Sequence, residues 1–107
     1  MRVRNLPKFR HMRDYVVLFR PIRDGFKTDP TEDELEIIRE HYYFLLGLRQ
    51  EGRLTVAGPT RDRSFGIAIF QAESDEHAQS TIDDDPAVVK GVFSAEIHSY
   101  KIAIPAE

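Results

Sequence analysis

Two stretches of this chain, Asp14–Arg20 and Ser64–Gln71, are apolar on both faces once they are read as extended chain. In the first, Tyr15, Val17 and Phe19 point one way and Val16 and Leu18 the other. In the second, Phe65, Ile67 and Ile69 alternate with Gly66, Ala68 and Phe70. β-Branched and aromatic content marks both as strands, and a strand with two apolar faces sits inside a sheet that is covered on both sides. That requirement governs how the rest of the chain can be arranged around them.

Two further strands and two helices are legible. Thr31 with Glu34 three residues on is a capping box, and Glu32 and Asp33 add acids where the helix dipole favours them. A helix is expected from there to about Gln50, closed by Gly52. Ile37, His41, Phe44 and Leu48 form one apolar stripe on it, and Leu35, Ile38, Tyr42 and Leu45 an adjoining one, which puts His41 on the buried side. Arg53–Gly58 reads as a strand that pairs with Ser64–Gln71 through the short turn Pro59–Arg63. Ser74 caps a shorter helix to about Ile82, which Asp83-Asp84-Asp85-Pro86 ends because the residue before proline leaves the helical region. Val92–Ile104 is the last strand, with a change of phase that suggests a bulge or bend. Pro21–Pro30, with its prolines, glycine and aspartates, is a connecting loop able to border a pocket.

The order is βαββαβ, an α+β ferredoxin-like split βαβ plait with two helices on one face of an antiparallel sheet. Two helices cover one face. An apolar sheet face left open is unusual in a monomer, so a homodimer through that face, or a higher oligomer built on it, is expected.

With 107 residues the chain is one domain, 14–107, preceded by a basic N-terminal arm, 1–13, carrying Arg2, Arg4, Lys8, Arg10 and Arg13. The net charge of −3 argues against a nucleic-acid partner. No apolar run spans a bilayer, so no membrane partner is expected. With no cysteine and no apolar leader, a cytoplasmic location is the expectation.

His41 is the leading candidate for chemistry, since an imidazole titrates near neutral pH and a rigid helix holds this one among apolar side chains. A helical histidine on an apolar face is also a common core or interface residue. Asp85, fixed by Pro86, would select the tautomer of a neighbouring imidazole, although a turn-forming aspartate explains it equally. Gly58 and Pro59 offer a strand exit where backbone can approach a ligand, Arg61 a fork for a substrate carboxylate, and Tyr42 and Tyr15 phenolic donors. The four histidines, at 11, 41, 77 and 98, fall on separate elements without metal-ligand spacing, so no metal is expected. No glycine-rich phosphate loop or nucleophile elbow is present, and no cofactor is called for.

The ordered set Glu40-His41, Glu51-Gly52-Arg53-Leu54, Ala57-Gly58-Pro59, Asp62 before Phe65-Gly66, Ala78, Asp85-Pro86 and Gly91-Val92-Phe93 resembles the YciI-like, or YCII-related, family over residues 14–104. The resemblance implies a dimeric α+β barrel with a His–Asp pair in a pocket, here His41 and Asp85. One branch of that family is associated with dehydrochlorination of a chlorinated hydroxyquinol. The expectation is a cofactor-free general acid–base enzyme, of lyase or isomerase type, acting on a small polar or aromatic metabolite. The alternatives are a non-catalytic dimeric small-molecule binding module and a purely structural His–Asp pair.

Overall fold

The computed structural model describes residues 11–107. Strand β1 (Arg13–Pro21) is followed by a 3₁₀ turn at Asp24–Phe26 and by helix α1 (Glu32–Gln50); β2 (Leu54–Pro59) and β3 (Gly66–Ala72) form a hairpin; α2 (Asp75–Asp83), a short α3 (Pro86–Val89) and β4 (Phe93–Ser99) complete the chain. The four strands make one antiparallel sheet in the order β2-β3-β1-β4, as a split βαβ plait requires. The arm's Arg2, Arg4, Lys8 and Arg10 lie outside the described residues, and Arg13 opens β1.

Period-two alternation sorts β1 cleanly. Tyr15, Val17 and Phe19 are buried beneath the helices, where Phe70 of β3 and Ala78 and Ile82 of α2 complete the core. Each fully buried side chain of this size contributes roughly 1.5–3 kcal/mol, which makes this layer the main source of stability. Tyr15 spends its hydroxyl there, donating to Asp75 Oδ1 at 2.8 Å; burial pushes the phenol above its ordinary value. On the opposite face Val16 and Leu18 of β1 lie beside Ile69 and Ile67 of β3, and Val56 of β2 extends the row. Neither helix covers that face.

The capping box forms as the sequence indicates: the Glu34 amide donates to Thr31 Oγ1 at 3.0 Å and the Thr31 amide to Glu34 Oε1 at 2.9 Å. Arg23 adds a fork on the same carboxylate, from Nε at 2.9 Å and Nη2 at 2.8 Å, which pins the Pro21–Pro30 loop to the start of α1. These donors, Arg23 first, hold the Glu34 carboxyl down at about 2 against an ordinary 4.5. A carboxyl lowered on folding stabilises fully above its unfolded value and loses that contribution as pH falls through the folded one. Glu34→Gln is therefore expected to flatten the acid side of the stability curve between about pH 4.5 and 2, as read by thermal melts of both proteins.

Two elements differ from the sequence reading. Asp83-Asp84-Asp85-Pro86 does end α2, but Asp85 and Pro86 also begin α3, as N-cap and first helical residue, and Gly91 at φ 74° leads out of it. The fourth strand stops at Ser99 rather than Ile104, and no bulge divides it. Its partner β1 starts at Arg13, so after the Tyr100 amide donates to the Asp14 carbonyl at 3.0 Å no strand remains to pair with among the described residues. Ile104 stands 90% exposed beyond that end. The irregularity in the sheet instead lies between Leu54 and Val56 in β2.

Candidate active site

The site is built where α1 crosses the end of the sheet. His41, midway along α1, turns Nδ1 toward Asp85 Oδ2 at 2.6 Å. Asp85 is wholly buried, and its other oxygen accepts the Ala87 amide at 2.9 Å, the N-cap bond of α3. A buried carboxylate with one oxygen on a helix start and the other on an imidazole has its charge answered by hydrogen bonds on both sides. An ionised carboxylate can only accept, so against it Nδ1 is the donor, and in the neutral imidazole Nε2 is then the nitrogen left to accept. Two phenyl rings fix the imidazole plane. Phe19 meets it edge-on at 4.8 Å between centroids and Phe93 at 5.3 Å, with interplanar angles of 83° and 86°. Next to the pair, Lys90 at the end of α3 donates to Glu40 Oε1 at 2.9 Å, which ties α3 to α1.

The His41 side chain is 13% exposed, and its ring lines a cleft of 530 Å³ between α1 and the sheet. The cleft's size and mostly apolar wall are those of a small-molecule site, with a few polar groups available to orient a ligand. Phe19, Phe26, Phe93, Leu45 and Leu54 contribute the apolar wall, and Tyr42, Thr55, Arg49 and Arg63 the polar groups. Phe26 comes from the Pro21–Pro30 loop, whose 3₁₀ turn folds it inward against Phe93.

Gly58, Pro59 and Tyr42 line this cleft with His41, whereas Arg61 does not. The β2–β3 turn instead offers Arg63, because a left-handed residue there (φ 65°) redirects the chain. Tyr15 belongs to the core and Asp85 stands behind His41. The sequence reading places Phe19 on a strand face and Phe93 in the family pattern, and gives neither a part in the site. Their signal was the alternation that puts Phe19 on the helix-covered face, beneath the His41 stripe. Among the described residues no three histidines or acids gather as a metal site would need, and no helix is long and apolar enough to cross a membrane.

The model of the YCII-related domain matches residues 14–100. The chain belongs to the YCII-related domain family. Among family relatives, the uncharacterised protein YjpA of Bacillus subtilis (strain 168) is 34% identical over 67 residues, spanning 63% of this chain and 79% of YjpA. This YCII-related chain also shares its fold with 5-chloro-2-hydroxyhydroquinone dehydrochlorinase (TftG) from Burkholderia phenoliruptrix AC1100, solved in complex with 2,5-dihydroxybenzoquinone. The TM-score is 0.63 at 22% identity, over 81% of this chain and 93% of that one. A second match in fold, the protein solved as YJCS, has a TM-score of 0.54 at 13% identity, and the match covers 85% of this chain and 98% of that one.

Proposed function

We propose that this chain is a cytoplasmic, cofactor-independent acid–base enzyme of the lyase or isomerase type, acting on a small polar or aromatic metabolite. The observation that carries the reading is the 2.6 Å contact from His41 Nδ1 to the buried Asp85, with the imidazole at the wall of a 530 Å³ cleft. In that arrangement Nε2 accepts an acidic O–H or C–H proton from the substrate, and the electron pair left behind forms the new double bond. In an elimination the leaving group departs with its own bonding pair; in an isomerisation the imidazolium returns the proton to a different atom. Asp85 holds the tautomer and stabilises the imidazolium without touching substrate. The shared fold with a dehydrochlorinase of a hydroxylated ring supports the same class of chemistry.

The test is chloride release from 5-chloro-2-hydroxyhydroquinone, together with solvent deuterium exchange into hydroxylated-ring ligands. Turnover or exchange that disappears in His41→Gln is expected. Ligand binding that persists in His41→Gln with neither activity in the wild type would replace the enzyme by a binding module.

The functional unit in this proposal is a homodimer, because the row Val16, Leu18, Val56, Ile67 and Ile69 forms an apolar stripe across the sheet face the helices leave open. Ile69→Lys places a charge between Val16 and Val56. It is expected to convert a dimer to a monomer in light scattering; a wild-type monomer at tens of micromolar would refute the assembly.

A further inference from the structure

Resting on the acid–base reading above, we propose that Arg63 anchors a substrate carboxylate, so that the substrates are small planar ring acids whose opposite edge meets His41. The chain has 18 acidic side chains against 15 basic ones, yet among the described residues those lining the cleft include Arg49 and Arg63 and no aspartate or glutamate. A pocket whose charge balance is reversed from that of the whole chain favours an anion inside it.

The two arginines stand at different ends. Phe19 pairs with Gly66, and Gly66 with Pro59, so the imidazole over Phe19 and the turn beyond Pro59 share one end of the sheet. From β1 to β2 is two strand spacings, about 10 Å. Across that span, in the cleft above β3, one six-membered ring would turn a carboxylate toward Arg63 and a reacting edge toward His41. Arg49 lies eight residues further along α1, about 12 Å by helical rise, beside the start of β2.

The Arg63 fork is also available. Arg20, Arg23, Arg39 and Arg53 each have a carboxylate within ion-pair range, whereas among the described residues Arg63 makes one long bond, from Nη1 to the Lys27 carbonyl at 3.4 Å. The acid in its own turn, Asp62, is committed elsewhere. It accepts from the Thr60 hydroxyl at 2.8 Å and the Ser64 amide at 2.9 Å, and pairs with Lys27 at 3.4 Å. Among the described residues Arg63 is the one non-glycine with positive φ, a conformation that costs free energy and recurs at ligand clamps. The bonds inside the turn hold it there, and a planar guanidinium suits a carboxylate in the two-pronged manner.

The test is a calorimetric titration with benzoate and its neutral isostere benzamide at low salt. Benzoate is expected to bind at least tenfold more tightly. Arg63→Asn, whose side chain accepts the left-handed turn, should cut benzoate affinity at least fivefold and leave benzamide unchanged, which also reports an intact cleft. Arg49→Gln should leave the preference in place. Equal affinities, a preference removed by Arg49→Gln but not by Arg63→Asn, or no benzoate binding at the highest soluble concentration would each overturn the assignment. His41→Gln should keep the benzoate preference. A preference that stands in a wild type without proton-transfer activity would sink the enzyme reading and leave the anchor.

Discussion

His41→Gln is expected to lower the catalysed rate by about 10²- to 10⁴-fold, the range over which a positioned acid–base group acts. Glutamine fills much of the same space and can still donate to Asp85 Oδ2, so the buried carboxylate keeps a partner and the fold should hold. What disappears is the Nε2 lone pair at the cleft. Single-turnover rates on a substrate the wild type converts would measure the loss directly. A variant retaining more than a tenth of the wild-type rate would show that another group moves the proton.

The second large effect separates position from charge at Asp85. Asp85→Ala removes the N-cap of α3 and leaves both the Ala87 amide and His41 Nδ1 without their acceptor in a buried place. A lost cap costs about 0.5–2 kcal/mol and a buried polar group left unpaired about 1–3. A fall in unfolding free energy of about 2–4 kcal/mol is expected, visible as a lower urea midpoint. Asp85→Asn behaves differently. Its carbonyl can cap α3 as well as aspartate does, so stability should change by less than about 1 kcal/mol. Its amide then faces His41 as a donor, forces Nδ1 to accept and moves the ring proton to Nε2. The base is lost while the fold survives, and activity should drop on the order of 10²-fold or more. Equal activity in Asp85→Asn and wild type would reduce Asp85 to a helix cap.

The sheet and α1 were legible because their signals are local. Alternation in β1, the Thr31–Glu34 box and Gly52 each act within a few residues, and tertiary packing had only to agree with them. α3 is not legible because four residues carry no periodicity, and Asp85-Pro86 signals a start as well as a stop. The sequence pattern overextends the fourth strand because apolar residues continue past Ser99, whereas strand length depends on what β1 offers to pair with. The approach of His41 to Asp85, 44 positions apart, depends on the whole fold. Residue chemistry and the family pattern singled out both, while neither could supply the distance or the phenyl rings that brace the imidazole. The choice between Arg61 and Arg63 turns on one left-handed residue in the six-residue turn between Pro59 and Gly66, which composition does not reveal.

The walls of the cleft have separate origins. Its His41 side hangs from α1 and α3, tied together through Asp85 and Lys90, while its far side is formed by the β2–β3 turn and the Pro21–Pro30 loop, surface segments outside the central layer. Loops of that kind accept insertion and exchange far more readily than packed elements do. Under the proposed function, relatives can diverge in the ligand they accept by rewriting the hairpin tip and that loop while keeping α1 and α3 unchanged. Grafting those two segments between relatives should carry selectivity with them and leave the proton chemistry behind.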